Sequence, residues 1–239
     1  MSEWKAKRFW TAATVTEAEG GWGVALDGRP VKTPAKRPLV VPTRALAAAI
    51  AAEWDAQQGV LRPETMPLTR AANAAIDKVA KTRPEVAAML AAYAETDLIC
   101  HRASQEPELI ARQDAGWNPL LDWCAAQGLP LVAGAGVLPH AQPEASLAGY
   151  AARLTAMDEW QLTALHDLVA LTGSLVLGLA VFDGRLTAAD AWSLSRLDED
   201  WQVERWGEDE EARDSAAVKR AAHADAARLL ALLRNNALA

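Results

Sequence analysis

The densest run of ionisable side chains spans residues 198–214 and reads Asp-Glu-Asp-Trp-Gln-Val-Glu-Arg-Trp-Gly-Glu-Asp-Glu-Glu-Ala-Arg-Asp. Asp200, Glu204 and Glu208 recur every four residues, so a helix running through would align their carboxylates on one face. Aligned oxygens suit a hard cation, and a carboxylate-based, metal-dependent hydrolase is one reading of the segment. No Glu-x-x-His partner accompanies them, although helical carboxylate metal sites draw on such partners. The plainer reading is a solvated helix start, because Asp and Glu favour helix N-termini. Gly207 followed by Glu208, Asp209, Glu210 and Glu211 fits it. Solvation leaves Trp201 and Trp206 unexplained. They suit either a contact surface, where aromatic anchors sit inside a polar rim, or the inner face of a packed helix. An adaptor surface for a protein complex therefore stands beside the hydrolase.

Other catalytic chemistry is sparse. His101, His140, His166 and His223 show no metal-ligand spacing, and none lies in a His-Glu-x-x-His arrangement. His166-Asp167 places a base beside a carboxylate, but neighbours on a helix point about 100° apart; capping or surface hydrogen bonding is the expected role. The stretch Gly134-Ala135-Gly136 lacks the third glycine and the preceding strand of a dinucleotide-binding turn. No Gly-x-Ser-x-Gly nucleophile turn occurs. Cys100 and Cys124 cannot form a disulfide framework or a four-cysteine zinc site and read as core thiols of a reducing compartment. The sequence thus assigns no catalytic residue, no cofactor and no metal.

The elements that must position the acidic segment follow from periodicity and turn chemistry. Near the N-terminus, Trp22, Val24 and Leu26 alternate with small residues as a half-buried strand does. Asp27-Gly28 is a two-residue hairpin signal. Pro34 and Pro38 interrupt the return, and Leu39-Val40-Val41 is a third short apolar run. Thr43 is the expected N-cap of a helix with Leu46, Ile50 and Trp54 on one face. That face makes Trp54 a buried, structural residue. Leu68, Ala72, Ala75, Ile76 and Val79 trace a second helix expected to end before Pro84. Thr82 with Pro84 and Glu85 predicts a capping box for a third.

The rest reads as helical apart from a Gly- and Pro-containing loop at 128–143. Pro119 is expected to kink or split the helix opened by Pro107. Asp158 is expected to cap one apolar helix reaching Phe182, with Ser174 and Gly178 allowing close approach. Thr187 is expected to cap a further helix with Leu194, Leu197 and Trp201. The last helix is expected to run from the acidic segment to about Leu233, carrying Ala217, Ala221, Ala224, Leu229 and Leu232. The predicted fold class is α+β: a small antiparallel β-rich N-terminal domain with two helices at 1–84, then a larger all-helical C-terminal domain at 85–239.

The 239 residues are 51% hydrophobic and 23% charged, enough to bury a core. Ten Trp against two Phe and two Tyr make Trp the main large flat surface. The net charge of −7 argues against a general nucleic-acid binder. It is unevenly spread: residues 1–84 carry 13 basic and 8 acidic side chains, whereas residues 196–214 carry 3 and 9. Such asymmetry supports steering toward a charged partner. The most apolar stretch, 168–182, is 15 residues without a charge, short of the roughly 20 needed to span a bilayer. With no presequence visible, a soluble cytoplasmic protein without membrane insertion is expected.

Several ordered pieces together resemble the "Atp-twelve" family, the assembly chaperones of the F-type ATP synthase. They are Arg8-Phe9-Trp10, the run from Leu26 to Pro34, Glu53-Trp54-Asp55-Ala56-Gln57, Met66-Pro67-Leu68-Thr69, Asp97 to Arg102, Trp117-Asn118-Pro119 and Glu204-Arg205-Trp206-Gly207. The resemblance implies a non-enzymatic chaperone of bacterial origin. It would bind the unassembled α subunit of the catalytic sector and prevent its aggregation until β pairs with it. It implies no nucleic-acid partner and no small-molecule substrate. The family has a functionally important glutamate in a Trp-Gly-x-x-Glu stretch, which maps onto Glu210, and an aspartate four residues later, which maps onto Asp214. This sequence adds acids at Asp209 and Glu211, where the family often has apolar or aromatic residues. The partner-binding set implied is therefore Trp206, Glu208, Asp209, Glu210, Glu211 and Asp214, with the share of Glu210 alone left open.

Overall fold

Strand β1 (Ala13–Ala18) pairs antiparallel with β2 (Gly21–Leu26) over its whole length, from Ala13 against Leu26 to Ala18 against Gly21. The chain then reverses through Asp27 and Gly28, both at positive φ (47° and 80°), into β3 (Arg29–Pro30). That pair of dihedrals belongs to a type I′ turn, which matches the twist of the strands. Asp27 adds a second function, because its carboxylate accepts the Thr11 and Ala12 amides at 2.9 and 3.0 Å. Those bonds and the nearby Arg8 and Arg29 hold its carboxyl below the usual range. β4 (Val40–Val41) shares the remaining edge of β2 with β3. The alternation expected of β2 gives way at its end: Val24, Ala25 and Leu26 are all buried.

The computed structural model describes residues 7–136 and 139–234. The chain divides into two compact units, residues 1–82 with 228–239 and residues 83–227. In the first unit, α1 (Arg44–Asp55) and α2 (Pro67–Asp77) accompany the sheet. Thr43 caps α1 by accepting the Leu46 amide at 3.1 Å, as its position predicts, and its hydroxyl donates to the Leu232 carbonyl at 2.9 Å. Leu46 and Ile50 are fully buried on the expected face, whereas Trp54 is only half-buried, edge-on to Trp10 at 5.2 Å. Met66, the residue before α2, supplies no side-chain cap. The buried Glu53 carboxylate does so from α1, accepting Leu68 N at 2.7 Å, Thr69 N at 2.8 Å and the Thr69 hydroxyl at 2.7 Å.

The second unit contains α3 (Arg83–Ala91), α4 (Pro107–Ala126), α5 (Glu144–Thr155), α6 (Glu159–Ala170), α7 (Leu175–Phe182), α8 (Ala188–Ser195), α9 (Leu197–Trp206) and most of α10 (Glu210–Arg234). The fold is therefore α+β, a small antiparallel sheet region followed by helices. α7 is the centre of its unit, with every residue from Leu175 to Val181 buried. Gly178 permits the packing of α6 on α7: a Cβ there would meet Val169 Cγ2 at 2.5 Å. Among the described residues, no helix is long and apolar enough to cross a membrane.

Several expectations are corrected. Thr82 forms no capping box; its hydroxyl turns back to the Lys78 carbonyl at 3.2 Å. α4 is not split at Pro119, α2 ends at Asp77 before reaching Val79, and the helix capped by Thr187 stops at Ser195, with Leu197 and Trp201 on the next one. Two short strands, β5 (His101–Arg102) and β6 (Gly134–Ala135), pair in parallel inside the stretch read as helix and loop; residues 137 and 138 of that loop lie outside the described residues. Asp158 does form a capping box with Gln161, but the helix it starts stops at Ala170. The apolar run breaks because a buried polar cluster occupies the gap. Thr172 donates to the Leu168 carbonyl at 2.7 Å, and Ser174 N-caps α7 through the Leu177 amide at 3.0 Å. Asp97, fully enclosed, accepts the Ser174 hydroxyl at 2.6 Å, Val176 N at 3.0 Å and Ile99 N at 3.2 Å. Burial pushes its carboxyl up to about 6 against those bonds.

Candidate functional site

The acidic segment folds as two helices joined by a turn. α9 begins with Asp198, Glu199 and Asp200, where carboxylates oppose the positive end of the helix dipole. Its inner side is fastened to α4. Glu204 makes two 2.8 Å contacts with the Arg112 guanidinium, Arg205 reaches Glu108 at 3.0 Å, and Gln113 donates to Asp198 at 2.7 Å. Arg112 accordingly holds the Glu204 carboxyl below its ordinary range. Trp201 is buried beneath the Arg205 guanidinium, which lies 4.6 Å from its ring centre. Trp206 stands edge-on to Trp201 at 5.7 Å but is 74% exposed. Trp201 therefore belongs to the inner face of α9, and Trp206 is left exposed.

Gly207 ends α9 at φ 90°, a conformation that suits glycine. The helix does not run through, so Asp200, Glu204 and Glu208 do not share a face. Glu204 is committed to Arg112, while Asp200 and Glu208 border a groove. Among the described residues, no three His, Cys, Asp or Glu side chains come together as metal ligands.

α10 opens beyond the turn. Asp209 accepts the Ala212 amide at 3.0 Å and so caps the helix. Arg213 lies among Glu208, Glu210 and Asp214 at 3.8, 3.4 and 3.2 Å. Glu210 is nevertheless 85% exposed at its side chain, and exposed pairs of this kind contribute about 0–1 kcal/mol. Glu211 is exposed and has no partner among the described residues. The six residues implied as partner-binding therefore lie along one short turn and the first helical turns after it. Arg213 was missed as their organiser, although its spacing of three from Glu210 on a helix was a readable signal.

The first three turns of α10 bury no residue: from Glu210 to Ala221 all are exposed except the half-buried Ala216. Of the apolar residues expected along this helix, Leu229 is buried and Leu232 half-buried, whereas Ala217, Ala221 and Ala224 are exposed; burial on α10 starts at His223 and continues at Ala226, Leu229 and Leu230. Opposite those alanines stand Trp192, Val203 and Trp206, enclosing a groove of about 860 Å³.

Most of the quoted motif residues are consumed by the fold. The Arg8 guanidinium donates to the carbonyls of Trp10, Thr11 and Gln57 at 2.8–3.0 Å. Asp55 accepts the Ala13 amide at 2.9 Å. Arg102 lies 5.2 Å from the Trp117 ring centre and donates to Asn118 at 2.9 Å, and Trp117 Nε1 donates to the Leu194 carbonyl at 2.9 Å. Phe9 is an exception at 69% exposed. His166 and Asp167 do approach, Nδ1 to Oδ1 at 2.7 Å, on an exposed part of α6, which raises the histidine's pKa. Both cysteines are buried and free. Burial pushes the thiols up to about 12 at Cys100 and about 11 at Cys124, far from a thiolate at neutral pH.

The family model described as "ATP12 chaperone protein" matches residues 7–125. The crystal structure of Atp12 from Paracoccus denitrificans is 51% identical, superimposes with a TM-score of 0.94, and spans 97% of this chain and 100% of that one. A solved candidate chaperone from Agrobacterium tumefaciens is 42% identical with a TM-score of 0.91, covering 95% of this chain and 86% of that one. "Protein atp12, mitochondrial" of Schizosaccharomyces pombe is 28% identical over 87% of this chain and 76% of its own length. With a matching family model and a half-identical structure aligned from end to end, the chain belongs to the ATP12 chaperone family.

Proposed function

We propose that this protein is an assembly chaperone of the F-type ATP synthase that binds the unassembled α subunit of the catalytic sector and shields it until β takes its place. Family membership supports the chaperone role. The observation that carries the contact is the α9–α10 turn, where exposed carboxylates surround an exposed Trp206 while most other motif residues are spent on internal bonds. Arg213 neutralises part of this charge only through exposed, weak pairs. An Arg or Lys on α can replace it at little cost. The role needs no catalytic group, no cofactor and no metal. The bacterial cytoplasm is the proposed location, supported by the two bacterial relatives of known structure.

The test is a calorimetric titration of unassembled α subunit at about 0.15 M salt. Glu210→Gln is compared with a variant combining Glu208→Gln, Asp209→Asn, Glu210→Gln and Glu211→Gln. Asn at 209 keeps the helix cap. Affinity is expected to fall about 10–100-fold in the combined variant, the equivalent of about 1.4–2.7 kcal/mol. Trp206→Ala should cost about 2 kcal/mol or more of binding if Trp206 is an anchor. Thermal melts should barely move, since exposed substitutions stay within about 0.5 kcal/mol. Unchanged affinity in the combined variant defeats the assignment and directs the search to Phe9 in the basic first third.

A further inference from the structure

We propose that the groove between α9 and α10 seats one amphipathic helix of the client, lying antiparallel to α10 with its basic C-terminal end at the Gly207 turn. The inference rests on the chaperone reading for the client's identity, but not for the groove's chemistry.

The groove has an apolar floor and an unfilled wall. Val203 is 41% exposed, Trp206 is 74% exposed, and Ala212, Ala217, Ala221 and Ala224 are all exposed on the facing helix. Alanines let another backbone approach closely while contributing little bulk of their own. A helix whose first three turns bury nothing gains little from tertiary packing, which ordinarily supplies most helical stability. It stands as a wall that lacks its neighbour.

The walls decide the occupant's conformation. Both are helices, whose backbone N–H and C=O groups are bonded internally away from their ends. They offer no free strand edge. An extended segment would bring unpaired backbone groups onto the alanine floor, which is costly. A helix satisfies its own backbone and presents residues at i, i+3, i+4 and i+7 to the groove.

Charge decides its orientation. At the turn, Glu208 and Asp209 line the groove and Glu210 and Glu211 stand beside it. Residues 196–214 carry 9 acids against 3 bases, and all three arginines are already paired: Arg196 with Glu199, Arg205 with Glu108, Arg213 with Glu208. Further along the same wall stands Arg220, exposed and without a partner among the described residues. It lies ten residues past Glu210, about 15 Å of helix. The start of α9 also lines the groove with the Arg196–Glu199 pair and the exposed Asp200, so away from the turn bases and acids balance, and the groove asks for a cation at the turn. A helix running antiparallel to α10 meets that demand with base in its last turn and acid in its first, the arrangement its own dipole favours.

The test uses two labelled synthetic helical peptides of about 16 residues. Both carry leucines at i, i+3, i+4 and i+7; one has Glu first and Arg last, the other the reverse. Fluorescence anisotropy is measured with the native protein and with Ala217→Trp, Ala224→Trp and Val218→Trp. The first two fill the groove at exposed positions, and Val218 is 71% exposed outside it. The Glu-first peptide is expected to bind the native protein and Val218→Trp alike. It should bind both groove-filled variants about tenfold or more weakly, and the reversed peptide should lose a similar factor. Equal binding of the two peptides, or native-like binding by the groove-filled variants, overturns the proposal. So does a dimer in sedimentation that dissolves on Ala217→Trp, because the groove would then seat a second copy. Unassembled α is titrated in parallel. If α binds Ala217→Trp normally but not the charge-neutralised variant, the groove assignment fails and the chaperone reading stands. If the peptides behave as expected while α never binds the native protein, the chaperone reading fails and the groove stands.

Discussion

Asp97 and Glu210 are both carboxylates in motif-bearing stretches, and their surroundings give them opposite work. Asp97 is sealed in the helical unit and accepts three hydrogen bonds that join the 3-10 turn at Leu98–Cys100 to the start of α7. Its carboxyl is raised to about 6 from an ordinary value of 3.8, with burial as the leading cause. The folded state therefore holds this proton more tightly than the unfolded chain does. Its stabilising contribution is complete below about pH 4 and declines as pH rises through about 6, with a slope of at most about 1.4 kcal/mol per pH unit for one group. Asp97→Asn should remove that slope, so the stability difference between native and variant should change between pH 4 and 6 and level off above. Urea midpoints across that range measure it. Asn should be less stable at acid pH, because its amide must face the Val176 or Ile99 amide donor, and that deficit should shrink as pH rises through about 6. Nothing in the sequence marks Asp97 for this role, since its hydroxyl partner lies 77 residues away. Thr43, Asp158 and Thr187, whose bonds close within three residues, were readable as caps.

At the scale of elements, two helices depend on polar groups delivered from elsewhere, and one lacks a neighbour. α2 starts without a cap of its own and takes the Glu53 carboxylate from α1. Glu53→Ala should strand two buried amides and the Thr69 hydroxyl, costing roughly 1–3 kcal/mol for each group left unsatisfied. A chemical denaturation curve should show the loss with little change in far-UV helicity at the plateau. α7 likewise begins where Thr172, Ser174 and Asp97 meet, which is why a 15-residue apolar run became two helices. α10 shows the converse. Of the apolar residues its sequence carries, Leu229 is buried with His223, Ala226 and Leu230, whereas Ala217, Ala221 and Ala224 stay exposed. Alanine is compatible with packing and with exposure alike, so its recurrence could not decide between them.

For the whole molecule, α10 contributes its end to the first unit, whose other residues are 1–82. Leu229 and Leu230 are buried there, and the Leu232 carbonyl takes the Thr43 hydroxyl that caps α1. Deleting residues 228–239 removes two buried leucines at about 1.5–3 kcal/mol each, roughly 3–6 kcal/mol together. That is a large share of a typical stability of about 5–15 kcal/mol. The truncated protein should therefore melt at a clearly lower temperature, with early proteolysis around the β1–β2 sheet. A truncated chain melting like the full one would show that the α10 end contributes little.

Features that depend on neighbouring residues were legible in the amino-acid order. Asp27-Gly28 made a hairpin because both residues reach positive φ cheaply. Proline and hydroxyl positions placed most helix starts, and Gly207 ended α9. The ordered motifs identified the family. The packing of distant segments settles that Trp201 is buried while Trp206 is exposed, that Trp54 is only half-buried, and that Glu204 is spent on Arg112 while Glu210 stays exposed beside Arg213. Capping and turn formation are set by dihedrals and hydrogen bonds within a few residues of chain. Burial and charge pairing depend instead on which distant surface arrives, and two tryptophans five residues apart carry no local mark of that arrival.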